Sequence, residues 1–255
     1  MGSKHAILFS GTGDPWTLND LEFCWRLLRD KYEVPAGNIQ VLYFSKQRET
    51  NNPSRPATSF PSARANDPYR LGITGRGTTE EFSDACQALD GVDPQDTVFI
   101  YTNGHGSKNM AGKPYLLTFD NSGLDAQEFC DALALLPQHA SLLIMMQQCY
   151  GAEFIDPIIG AHEDGLIRAD RISLACASEG LSYANGKFSR FTWGWVAAHL
   201  DTDHEGKPLV VPVPKNNSGF IEAFEAYNYA EIIAAPPDKS KALNRPAAAK
   251  NIRLA

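Results

Sequence analysis

Two apolar runs, each ending in a reactive side chain, decide most of what this sequence can become. The first is Val98-Phe99-Ile100-Tyr101-Thr102-Asn103-Gly104-His105-Gly106-Ser107. The second is Leu142-Leu143-Ile144-Met145-Met146-Gln147-Gln148-Cys149-Tyr150-Gly151. A continuous apolar run is the pattern of a strand buried on both faces, which is how parallel sheets read, and the carboxyl ends of such strands open into one crevice. Two neighbouring strands of this kind would bring an imidazole and a thiol together. A thiol is a strong nucleophile as thiolate, and a histidine within reach lowers its pKa and later protonates the leaving group. The pair reads as a nucleophile, Cys149, and its acid/base, His105.

The remaining pattern alternates strands with helices. Strands are expected at 5–10, 39–44, 97–102, 115–119, 141–148 and 171–176. Helices are expected at 18–32, where Leu18, Leu21, Trp25, Leu28 and Tyr32 form one stripe; after the capping-box spacing Thr78-Thr79-Glu80-Glu81; near 125–136; and around 219–233. Alternation of this kind implies right-handed crossovers and an α/β fold, a mostly parallel central sheet of about six strands with helices on both faces. Residues 45–77 hold four prolines and five arginines and read as a loop insertion without a core of its own, placed beside the substrate cleft. Residues 236–255, rich in Pro, Ala and Lys, read as an extended tail behind a domain covering 1–235.

Composition limits the partners. With 255 residues, 43% hydrophobic content and a net charge of −7, the chain suits one α/β domain and lacks the basic surface that nucleic acid or an anionic membrane requires. No apolar stretch reaches the roughly 18 residues of a membrane span, and Lys4 leads straight into a short strand, so the expected location is cytoplasmic. Five cysteines, with no Cys-x-x-Cys pair and no even framework, point to a reducing compartment. Cys24, Cys86 and Cys130 sit on helical apolar faces as small hydrophobes. Cys176 ends a strand and is the rival nucleophile, but it lacks the flanking glycine and glutamine. Asp201-Thr202-Asp203-His204-Glu205-Gly206 starts like a calcium loop, but Pro212 stands where the bidentate glutamate belongs, so it reads as a degenerate loop.

Gln147, Cys149 and Gly151, with a histidine upstream at about the right distance, match part of the caspase signature; Gln148 and Tyr150 depart from it. Together with Lys4–Gly11, the His-Gly-Ser element and Ala175-Cys176-Ala177-Ser178-Glu179-Gly180-Leu181-Ser182-Tyr183-Ala184, in that order, the chain resembles the caspase, metacaspase and legumain clan of cysteine peptidases, in particular its legumain-like and bacterial caspase-like members. The resemblance implies a caspase-like three-layer sandwich and a cysteine endopeptidase acting on protein or peptide, without metal or organic cofactor. It implies that the amides of Gly106 and Cys149 hold the oxyanion, and that Ser178, Glu179 and Ser182 line the specificity pocket. It also puts a reader of the P1 side chain, the residue before the scissile bond, at Gln147. An amide there disfavours a cationic P1, whose buried charge would stay unpaired. Ala184 stands where caspases carry their aspartate-binding arginine, so an asparagine, or an acidic residue met by another cation, is expected at P1. Legumain-type enzymes orient the histidine with a residue after the first strand; Asp14, Asn19 and Asp20 all stand there, and none is singled out. Transpeptidation, or a caspase-fold binding module without turnover, would carry the same motifs.

Overall fold

In the computed structural model, which describes residues 2–46, 58–213, 215, 220–234, 239–245 and 247–254, the apolar runs are the strands of one six-stranded sheet. The strands of that sheet are β1 (Lys4–Ser10), β2 (Ile39–Tyr43), β3 (Thr97–Asn103), β7 (His139–Met146), β8 (Ala169–Cys176) and β9 (Lys241–Arg245), in the order β2-β1-β3-β7-β8-β9. The first five are mutually parallel and β9 is antiparallel to β8. A second sheet of three short antiparallel strands, β4 (Gly106–Lys108), β5 (Pro114–Leu116) and β6 (Leu124–Asp125), follows the His105 turn.

Alternate residues of each strand feed two separate cores, as a pleated sheet covered on both faces requires. Phe99, Tyr101, Leu143 and Met145 face α1 (Pro15–Arg26), α5 (Arg190–Leu200) and α6 (Ala223–Ala234), with the rings of Phe99 and Trp195 stacked at 5.4 Å. Val98, Ile100, Leu142 and Ile144 face α2 (Thr79–Gln87), α3 (Ala126–Leu133) and α4 (Ile155–Glu163), where Phe82 stacks on Phe129 at 5.0 Å. The result is the three-layer α/β sandwich expected from the sequence.

Three expectations change. The run 115–119 does not join the main sheet: only a tight turn separates it from β4, and a hairpin connection makes strands antiparallel neighbours, so β5 belongs to the small sheet. The sixth strand of the main sheet comes from the segment expected to be a tail. Residues 241–245 pair with β8, and Ala249, Ile252 and Leu254 are buried in the core. The loop 45–77 is not free of the core either. Over its described part Phe60, Tyr69 and Leu71 are buried, and Glu22 of α1 accepts from the amides of Arg70 and Leu71. Arg26 lies 4.2 Å over the Phe60 ring and 2.6 Å from Asp67. Residues 47–57 lie outside the described part.

Candidate active site

Strands β3 and β7 run parallel with Thr102 opposite Met146, and the amide of Gln147 donates to the carbonyl of Thr102 at 2.8 Å. His105 and Cys149 each come three residues after that last pair. Register alone therefore delivers both to the same end of the sheet, and they line one cavity of about 180 Å³ with Trp16, Gln147, Ser182 and Ser189.

The turn between β3 and β4 depends on its glycines. Gly104 has φ +109°, and a Cβ there would stand 2.7 Å from Thr12 Oγ1; a Cβ on Gly106 would collide with the carbonyl oxygen of Cys149. The two backbone segments are thus in contact. Gly106 pairs with Leu116 outside the hydrogen-bonded rungs, since the flanking bonds run from Leu117 N to His105 O (2.9 Å) and from Asn109 N to Lys113 O (3.0 Å). Its N–H is therefore directed away from β5. The amide of Cys149 meets no acceptor among the described residues.

Around the cysteine, the loop after β8 sets the conformation. Tyr150 has a left-handed φ of 59°, rare for a side chain of its size. It is held by Tyr150 N to Gly180 O (2.6 Å) and Ala152 N to Ser178 O (3.0 Å). Cys149 is half-buried, and the amide of Ser182 donates to its Sγ at 3.2 Å. The other four thiols are buried, and burial raises them: Cys130 to about 11, Cys86 to about 12, and Cys24 and Cys176 well above the ordinary thiol value. Cys176, the rival nucleophile, is fully enclosed.

The third group beside the pair, left open among three by the sequence, is Asp14. Its Oδ2 lies 3.1 Å from His105 Nε2, an ion-pair distance without an aligned hydrogen bond at rest. The contact and then the charge of Asp14 hold the imidazole above its ordinary pKa against partial desolvation, and His105 in turn holds Asp14 below the usual carboxylate range. Trp16 meets the imidazole edge to face at 5.8 Å. Asn19 and Asp20 turn elsewhere, Asn19 to Lys187 O and Tyr69, Asp20 to the amide of Ser189. The signal for Asp14 was Asp14-Pro15, an N-cap followed by proline at the first helical position, which starts α1 well before residue 18. Nothing in the sequence marked Trp16 or Ser189.

Among the expected pocket residues, Gln147 and Ser182 line the cavity and bond to each other: Ser182 Oγ donates to Gln147 O at 2.8 Å, and Gln147 Nε2 donates to Ser182 Oγ. Ser178 and Glu179 line an adjacent cavity of about 420 Å³ instead. Ser178 is buried, and its hydroxyl donates to Leu181 O at 2.7 Å. Among the described residues no cluster of three His, Cys, Asp or Glu is placed to hold a metal ion, and no helix is long and apolar enough to cross a membrane.

Residues 77–184 match the model of the peptidase C13 family, the legumain family of the caspase-like clan. This chain is similar to the caspase/legumain-type cysteine peptidases. The matched segment contains both His105 and Cys149. Among solved structures, a protein of Geobacter sulfurreducens resembles it over 98% of this chain and 97% of that one, with a TM-score of 0.56 and 12% identity, which is a likeness of fold. A secreted C11 cysteine protease of Bacteroides thetaiotaomicron, solved with an irreversible peptide inhibitor, aligns over 92% of this chain at 12% identity and a TM-score of 0.45; this chain spans 58% of its length. Comparison with curated proteins gives no match.

Proposed function

We propose that the protein is a cysteine endopeptidase in which Cys149 is the nucleophile, His105 its acid/base and Asp14 the residue that positions His105. The observation that carries this reading is the register of β3 and β7, which leads His105 and Cys149 into one cavity with Asp14 at 3.1 Å behind the imidazole. Asp14 engages Nε2, so Nδ1 is the nitrogen that takes the thiol proton. The thiolate attacks the scissile carbonyl, and the oxyanion forms between the amides of Gly106 and Cys149, donors of a kind that contribute on the order of 3 kcal/mol each. The imidazolium then protonates the leaving amine, and water, with His105 as base, hydrolyses the acyl-enzyme.

The cavity lining supports a neutral polar P1 residue. Among the described residues it carries no carboxylate to pair a basic P1 and no Lys or Arg to pair an acidic one, and either charge buried alone would be costly. Its hydroxyl and amide groups suit the carboxamide of asparagine, a narrower choice than the sequence allowed.

The test is titration with peptidyl electrophiles bearing Asn, Asp, Arg or Leu at P1, with the adduct located by mass spectrometry and Cys149→Ala as control. The reading predicts one adduct, at Cys149, formed fastest with Asn. Adducts that ignore P1, or that form equally in Cys149→Ala, would contradict it.

A further inference from the structure

The ladder between β3 and β7 ends at Thr102 and Met146, with one further bond from Gln147 N to Thr102 O at 2.8 Å. Past that point no backbone hydrogen bond joins the two continuing segments among the described residues. The amides of Gly106 and Cys149 both lie beyond it. What continues the pairing is a side-chain bond, in which Thr102 Oγ1 donates to Oε1 of Gln148 at 2.9 Å. Thr102 has the parity of Val98 and Ile100, so this bond lies on the sheet face covered by α2, α3 and α4. Gln147 turns to the opposite face, where the amide of Thr192 donates to its Oε1.

Gln148 is 1% exposed, and its Nε2 is buried with no partner among the described residues. An apolar side chain of the same volume would fill that space without leaving buried donors unpaired. The bond to Thr102 is what the amide adds. The caspase signature has alanine at this position, a residue that could make no such bond. The Gln148 side chain also packs against the backbone of the turns that carry the site. A Cβ on Gly106 would stand 3.2 Å from Gln148 Cγ, and one on Gly151 would stand 3.3 Å from its Nε2.

We infer that Gln148 is a positioning residue whose bond to Thr102 carries the register of β3 and β7 past the end of their ladder, and so fixes the spacing of the Gly106 and Cys149 amides around the oxyanion. The inference rests on the peptidase reading above. Two reactions of the same thiol separate this role from general support. Hydrolysis passes through a tetrahedral oxyanion, whereas iodoacetamide forms the S–C bond at a saturated carbon as iodide leaves, and no oxyanion develops. The experiment compares wild type, Gln148→Met, Thr102→Val and Thr102→Ser. It measures kcat and KM for the peptide of the P1 panel that the wild type cleaves fastest, the rate of Cys149 alkylation, and the thermal midpoint. Outright loss of an oxyanion donor costs about 10² to 10³ in kcat, and loosening the pair costs less. Gln148→Met and Thr102→Val therefore each lower kcat about tenfold, with KM and alkylation within about twofold of wild type. Thr102→Ser keeps the hydroxyl and retains the wild-type kcat. If Gln148→Met does not fold, Thr102→Val against Thr102→Ser decides. An unchanged kcat in the folded variants, or alkylation that falls in step with kcat, overturns the role of Gln148 and leaves the peptidase reading standing. A wild type that cleaves no peptide of the panel overturns both.

Discussion

Among the described residues four helices start at a residue of the preferred N-cap type, and the four behave in two ways. Away from the cavity, Thr78 accepts from the Glu81 amide at 3.2 Å, and Asp125 forms a full capping box with Glu128. At the cavity, Asp14 and Ser189 occupy the same position on α1 and α5, and neither side chain caps its helix. Asp14 turns to His105, and Ser189 turns to the buried carboxylate of Asp20. Helix starts that face the strand ends have had their side chains withdrawn from stabilising the helix, and the fold compensates elsewhere, with Pro15 pre-setting the first turn of α1 and Gln147 capping α5. An N-cap position that does not cap is therefore a mark of the site.

The contrast makes separable predictions. The largest effect belongs to the pair itself: His105→Ala lowers peptide hydrolysis by about 10² to 10⁴-fold, the usual worth of a positioned acid/base, with little change in thermal midpoint. Next is Asp14→Asn, which lowers hydrolysis by about tenfold, below that scale because it acts through His105, and also moves the pH profile. Asp14 raises the His105 pKa, so the ion pair persists from above the lowered Asp14 pKa to the raised His105 pKa and is lost beyond either. Removing the carboxylate shifts the His105 limb toward acid. A limb that stays in place would mean Asp14 does not govern the imidazole. The smallest effects are in the caps that do cap: Asp125→Ala and Thr78→Ala each cost about 1 kcal/mol of stability by denaturant titration and leave Cys149 labelling as in the wild type. A stability loss of that size in Asp14→Asn, or a labelling defect in Asp125→Ala, would break the distinction.

Much of this was legible in the chain because buried parallel strands announce themselves as unbroken apolar runs and their ends carry the chemistry. β3 and β7 could be read from composition and continuity, and with them His105 and Cys149. β9 could not. Lys241-Ala242-Leu243-Asn244-Arg245 is an edge strand, half-exposed throughout, with no β-branched residue and no run to distinguish it from a tail. Residues 115–119 read as a core strand, and only the short turn after Lys108 decides their place. Phe60, Tyr69 and Leu71 were hidden among prolines and arginines because an irregular segment buries residues singly, with no period to detect. Asp14 was one of three candidates after the first strand, and only the turning of Asn19 and Asp20 to partners distant in the chain separates it from them; Ser189 lay beyond sequence because its partner, Asp20, is equally distant.

The central claim is that the aligned ends of β3 and β7 make Cys149 a nucleophile served by His105. The most direct measurement is the rate of Cys149 alkylation by a small, uncharged haloacetamide across pH in the folded protein, for wild type and His105→Ala, with every thiol followed by mass spectrometry. The account predicts that Cys149 alone reacts in the native state, and that His105→Ala slows it near neutral pH. Equal rates in the two proteins, or native-state modification of the buried thiols alongside Cys149, would contradict it.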